Sequence, residues 1–156
     1  MAEPNIVLTR IDNRLIHGQI VGQWAGTVGA NLILVADDET ANNELEKNLM
    51  QMAAQAMGFD TRFFTVDKTI EIIHKAAPHQ KIFIICRTPK EVLKLINGGV
   101  PIKTVNIGNM HFDPNKTNIG VKVYVSKEEM QELEQIKSKV DEIFVQDTPG
   151  AEKTFI

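Results

Sequence analysis

Short apolar runs alternate along this chain with stretches in which apolar residues recur every three or four positions, the exchange of periods expected when strands and helices take turns. Runs at Ile6–Thr9, Leu32–Ala36, Thr61–Thr65, Lys81–Cys86, Thr104–Ile107, Val121–Val125 and Glu142–Val145 predict strands. Between them, Ile20, Val21, Trp24 and Val28 predict one helix, and Leu45, Leu49, Met52, Ala53 and Ala56 a second that ends near Gly58. Ile70, Ile72, Ile73 and Ala76 predict a shorter one stopped before Pro78. Thr88 with Pro89 and Glu91 reads as a capping box opening a helix that Gly98-Gly99 closes, and Ser126 with Glu129 repeats the signature. Strict alternation at this spacing predicts an α/β fold: a doubly wound, mostly parallel sheet of about seven strands with helices on both faces. Residues 1–156 read as a single domain, and the Met110–Gly120 stretch with Asp113, Pro114, Asn115 and Lys116 as an irregular surface loop.

Composition narrows the classes of function. With 156 residues, 43% of them apolar, one sizeable core is affordable, and chains of this size bury roughly 70% of their unfolded surface. A net charge of −3 gives no basic stripe for nucleic acid. No run of about 20 apolar residues spans a bilayer, and Met1-Ala2-Glu3-Pro4 does not begin a secretory signal, so a cytoplasmic protein is expected. The single cysteine, Cys86, excludes an internal disulfide and a cysteine-based zinc site, and it reads as a small apolar residue packed in its strand.

The chemistry concentrates where the first strand gives way to the first helix. The run Arg10-Ile11-Asp12-Asn13-Arg14-Leu15-Ile16-His17-Gly18-Gln19 brings two guanidinium groups and an imidazole close together at a strand's carboxyl end. In open α/β sheets that edge collects ligands, because helix amino termini turn unpaired N–H groups toward it. A neutral imidazole is a good nucleophile, and its phosphoramidate keeps the capacity to pass the group on. Phosphoryl transfer otherwise asks for alignment and charge stabilisation, which the planar fork of arginine provides in pairs of hydrogen bonds. Asp12 can cap the turn through an Asx-type hydrogen bond. The other loops expected at this edge hold Asp37-Asp38, Thr65–Asp67, Arg87-Thr88 and Gly108–His111. Trp24 reads as core or as the rim of this edge, and His74 and His79 as surface residues.

The ten-residue run resembles the phosphorylation loop of IIB subunits in the mannose-fructose-sorbose family of the bacterial phosphoenolpyruvate-dependent sugar phosphotransferase system. The stretches Asn31–Asp38, Cys86-Arg87-Thr88-Pro89 and Asn106-Ile107-Gly108-Asn109-Met110-His111 extend the likeness over almost the whole chain. The resemblance implies a phosphocarrier with His17 as phosphoacceptor, through Nδ1, and with Arg14 and Arg10 as phosphate-binding residues. Asp12, Asn13 and Gly18 support the loop, and Asp37, Arg87, Thr88, Gly108, Asn109 and His111 form a pocket rim. It further implies a IIA phosphohistidine protein as donor, membrane IIC and IID subunits with their sugar as acceptor, peripheral association with the inner face of the membrane, and neither cofactor nor metal. The wording of Ile82–Pro89 and Gly108–Phe112 is similar to members assigned to N-acetylgalactosamine or related amino sugars. A homo-oligomer is compatible with all of this.

Rival readings fit less well. A response-regulator receiver needs its phosphoacceptor aspartate after the third strand, where Thr65-Val66-Asp67 stands. A hydrolase lacks the Gly-x-Ser-x-Gly elbow, and a nucleotide-binding module lacks both glycine-rich phosphate loops. A receiver-like signalling domain or another small-ligand-binding α/β domain is the remaining alternative.

Overall fold

The computed structural model describes residues 3–156; Met1 and Ala2 of the amino-terminal stretch lie outside the described residues. In chain order the elements are β1 (Asn5–Asp12), α1 (Ile20–Val28), β2 (Leu32–Ala36), α2 (Asp38–Ala41), α3 (Glu44–Ala56), β3 (Asp60–Phe64) and α4 (Val66–Ile72). A 3-10 turn, Ile73–Lys75, then leads into β4 (Lys81–Cys86), α5 (Pro89–Asn97), β5 (Thr104–Asn109), β6 (Thr117–Gly120), β7 (Val123–Val125), α6 (Lys127–Lys137), β8 (Glu142–Val145) and β9 (Thr154–Phe155).

The main sheet runs β3-β2-β4-β1-β5-β8-β9. Its first six strands are parallel, and β9 closes the edge antiparallel to β8. The expected count of seven is therefore met by a different set. Val121–Val125 does not join the sheet but pairs as β7 with β6 in a separate hairpin, so part of the expected irregular loop is strand. The two-residue β9 is too short to show a period, and only its packing on β8 defines it.

Alternation along the buried strands sorts the core into two layers. Leu32, Leu34, Ile82, Ile84 and Cys86 face a cluster shared with Val66 of α4, Ile73 of the 3-10 turn, Val92 and Leu95 of α5, and Leu133 and Ile136 of α6. Ile33, Val35, Phe83 and Ile85 face the other cluster, with Val21, Trp24 and Ala25 of α1 and Ala54 of α3. Central strands covered on both faces read as unbroken apolar runs, as Ile82–Cys86 does.

This layering fixes where a site can form. After β1 the chain steps outward past β4 to β2, whereas after β4 it steps the other way past β1 to β5. Neighbouring β1 and β4 thus send their following helices to opposite faces, leaving a crevice beyond their carboxyl ends.

Two local expectations change. Ser126 and Glu129 do form a reciprocal capping box on α6. Thr88 makes no side-chain cap on α5; its hydroxyl bonds the Glu91 carboxylate instead. The periodic stripe of α3 also points away from the core, since Ala54 is that helix's buried residue while Leu45, Leu49 and Met52 are exposed.

Candidate functional site

The loop after β1 is built on two buried plugs and one exposed tip. Leu15 and Ile16 pack into the cluster under α1, while His17, Gly18 and Gln19 are exposed. Leu15 holds φ at 58°, a left-handed conformation that costs an ordinary residue about 1–2 kcal/mol. Burial of its side chain and the turn bond from its N–H to the Asp12 carbonyl (3.0 Å) hold it there. Gly18, at φ 56°, takes a second left-handed step that its missing side chain makes easy. Strain of this kind persists where surrounding structure over-determines it, and it collects at functional loops.

At the start of the same loop, Asp12 is the hinge of an arginine–carboxylate–arginine cluster. A register shift against β5 pairs Asp12 with Asn109. From there Asp12 accepts hydrogen bonds from the Arg14 backbone N–H (2.9 Å), Arg14 Nε (3.1 Å) and Arg14 Nη2 (3.2 Å), and from Arg10 Nη2 (3.3 Å). Arg14 keeps 22% of its side chain accessible, and its bonds to Asp12 use Nε and Nη2 rather than Nη1.

Arg10 behaves differently from the expectation that it binds phosphate directly. Its side chain has no exposed surface. Nη1 donates to Asn106 Oδ1 and to the Gln146 carbonyl (3.1 Å), and the guanidinium lies 5.5 Å from the centroid of the Trp24 ring. A Cβ on Gly108 would collide with the same guanidinium, so Gly108, expected on the pocket rim, is the recess that admits Arg10. Burial pushes the Arg10 pKa down from its ordinary value, against the opposing pull of Asp12. In this arrangement Arg10 bears on the surface through Asp12 rather than by touching a ligand.

A second network ties the loop to its neighbours. Asn13 donates from Nδ2 to the Arg87 carbonyl (2.7 Å), accepts from the His111 N–H (2.7 Å), and donates its own N–H to the Asn109 carbonyl (3.0 Å). Arg87 in turn grips Asp37 through Nη2 (2.9 Å) and Nε (3.3 Å), and Asp37 caps α2 through Thr40. Burial disfavours the Asp37 carboxylate, yet the bonds from Arg87 and Thr40 outweigh it and hold its pKa below the ordinary value. The bond with Asp37 also raises the Arg87 pKa. Asp37 is therefore a buried anchor, not an open rim residue.

Of the remaining expected positions, Thr88 turns to Glu91, Asn109 is buried with its side-chain oxygen unpartnered, and His111 is exposed beside the loop. His74 and His79 are surface residues away from this edge, and Cys86 is buried, its thiol pKa raised well above normal by that burial. Trp24 is 4% exposed and donates Nε1–H to the Asp147 carbonyl (3.0 Å).

Asn106 and Gln146 were not anticipated. Each had a signal: Asn106 interrupts the apolar pattern of β5, and Gln146 is the first polar residue after β8, the position Asp37 and Arg87 occupy after β2 and β4.

A buried arginine–carboxylate clamp in the loop that also carries an exposed histidine, at the crevice of a doubly wound sheet, defines a small α/β protein equipped to handle phosphoryl groups. Comparison with known proteins makes this specific: the chain belongs to the sorbose subfamily of phosphotransferase-system IIB components, whose family pattern matches residues 6–155. It is 53% identical over 153 residues to N-acetylgalactosamine-specific phosphotransferase enzyme IIB component 1 of Escherichia coli K12, covering 98% of this chain and 97% of that one. Component 2 of the same organism is 47% identical over 146 residues, covering 94% and 92%. The crystal structure of the E. coli component 1 superposes with a TM-score of 0.94 over 97% of this chain and 99% of the other. The sorbose-permease IIB domain of Klebsiella pneumoniae gives 0.87 at 27% identity over 97% and 93%. The protein is thus a sugar phosphotransferase subunit, which removes the receiver alternative, and no helix among the described residues is long and apolar enough to cross a membrane.

Proposed function

We propose that His17 is the phosphoryl carrier of this subunit, accepting the group from the phosphohistidine of a IIA protein and giving it to a sugar brought by IIC and IID membrane subunits. The observation that carries this reading is the loop's construction: Leu15 and Ile16 are buried, and His17 follows them exposed before the left-handed Gly18, three residues on from Arg14, which pairs with Asp12. In the first step an N–P bond breaks on the donor imidazole as one forms on His17. In the second, the His17 N–P bond breaks as the sugar hydroxyl oxygen takes the phosphorus and releases its proton.

Arg14 stabilises charge on the transferring oxygens with its Nη1 end, and Asp12 and Arg10 keep that guanidinium in place. Asn13 holds the loop against the Arg87 and His111 segments. The mannose-specific EIIAB component of E. coli, 30% identical over 141 residues, is matched over 43% of its length, and its name joins an A with a B component. That supports a IIA donor. The two E. coli relatives support N-acetylgalactosamine or a related amino sugar as acceptor, and the work at the inner face of the membrane that such an acceptor requires.

The test is single-turnover transfer from labelled phospho-IIA. Wild type should take up one label that is lost in acid and kept in alkali, and His17→Ala should take up none while keeping its circular dichroism and melting transition. Stoichiometric labelling of folded His17→Ala would end the proposal, and labelled protein supplied to membranes with candidate IIC and IID subunits reads out the sugar.

A further inference from the structure

The outward face of α3 is an apolar seam of the kind that pairs helices. Leu45, Leu49 and Met52 are 69%, 60% and 67% exposed, and with Ala56 they follow the four-three-four spacing of a coiled-coil interface. At about 100° per residue these positions fall within roughly 60° of arc, directly opposite Ala54, which the core buries. Among the described residues none covers this stripe, since α3 is held to the domain through its opposite face, where Met50 and Ala54 meet the core.

We infer that this seam is a self-association surface on which a second copy of the chain lays its own α3 antiparallel. The sequence of the seam is complementary to its own reverse. Antiparallel pairing sets Leu45 against the small Ala56 at each end and Leu49 against Met52 at the centre, so bulky residues meet small ones or the flexible methionine. The flanks agree. Asn48 and Gln55 line one edge and Glu46 and Ala53 the other, so amide faces amide and glutamate faces alanine across the two-fold axis. The charges of α3, Glu44, Glu46 and Lys47, all lie in its first turn. Parallel pairing would bring the like-charged turns together, whereas antiparallel pairing separates them by the helix length. One such face is smaller than the roughly 800 Å² per partner of a standard interface, so the dimer is weak and forms at high local concentration.

Sedimentation of the full chain across a micromolar-to-millimolar series should show mass rising toward two copies. Leu49→Glu and Met52→Lys should each stay monomeric alone, keeping wild-type circular dichroism and phosphorylation by IIA. An equimolar mixture should dimerise again, because the two new charges face each other across the seam. Mixed Leu45→Cys and Ala56→Cys chains should cross-link to one another in preference to themselves, with Cys86 buried and out of reach. A chain monomeric throughout the series, or a dimer indifferent to Leu49→Glu, overturns the inference. So does a monomeric wild type in which Leu49→Glu loses only transfer to acceptor membranes, since the face then belongs to the membrane subunits.

Discussion

The Arg10 guanidinium lies in the space that a side chain at position 108 would fill: a Cβ built on Gly108 stands closer than 3.0 Å to Arg10 Cζ, Nη2 and Nε. Flexible arginines elsewhere would swing aside. Here the group is buried and bonded to Asn106, Gln146 and Asp12, so moving it unmakes the clamp at the base of the loop. Gly108→Ala should therefore cost about 1–3 kcal/mol in urea unfolding, the usual range for overpacking, and should also slow phosphoryl uptake. Gly150→Ala, where nothing stands within 4 Å of the added carbon, should stay within about 0.5 kcal/mol of wild type. Equal stability of the two variants would show that Arg10 is free to leave its recess.

Arg14 presents one edge of its fork to Asp12 through Nε and Nη2, and on the proposed function the other edge meets the phosphoryl group. A lysine at this position carries the charge but can neither hold that side-on pairing nor offer a second directed donor. Arg14→Lys should slow single-turnover transfer by about a hundred- to a thousandfold, the effect of losing one transition-state donor. A rate within a factor of two of wild type would remove Arg14 from the transfer step.

Asn13 joins three loops with one side chain. Asn13→Ala removes the bonds to the Arg87 carbonyl and the His111 N–H, which at about 0.5–1.5 kcal/mol each predicts a loss of roughly 1–3 kcal/mol. Amide hydrogen exchange should quicken at Arg14–Gln19 and His111 before the rest of the sheet loosens. Unchanged protection at those amides would mean that the buried Leu15 and Ile16 fix the loop alone.

The Asp37–Arg87 pair makes a prediction about acid. Because the folded-state pKa of Asp37 lies below its ordinary value near 3.8, its contribution is fully present above that value and is lost as pH falls through the lowered one. Wild type should exceed Asp37→Asn in stability at pH 7, and the gap should shrink below about pH 4. Glu91 has the opposite sign: burial raises its pKa and the Asp37 charge adds to the rise, so protonation favours the folded state as pH falls, and somewhat less so in Asp37→Asn. Comparing the pair in a Glu91→Gln background removes it. A gap that widens in acid would contradict the assigned direction.

Much of this molecule was legible along the chain. The apolar runs of β2, β4 and β8 stand where the pattern puts them, because strands buried on both faces leave few alternatives to continuous apolar sequence. The exposed histidine was legible too, since the run Arg10–Gln19 compresses cationic and nucleophilic groups into a strand-to-helix junction. What failed were the choice among local hydrogen-bond partners and the contacts between segments distant in sequence. Thr88 had the spacing of a capping box, yet its hydroxyl turned to the Glu91 carboxylate. The α3 stripe had helical spacing, but periodicity gives the angle between residues and not which side meets the core.

The sequence by itself determined the alternation of the main strands and helices, the parallel class of the sheet and the gathering of Arg10, Arg14 and His17 at the end of the first strand, because each of these depends on local period and neighbouring residue types. Only the tertiary structure decided that Arg10 is buried and Arg14 is not. The two guanidiniums are four residues apart on either side of Asp12, identical in local chemistry. Arg10 still lies within β1, where β5 and the end of β8 supply Asn106, Gln146 and the recess at Gly108. Arg14 lies past the strand's end, where no neighbouring strand remains to cover it.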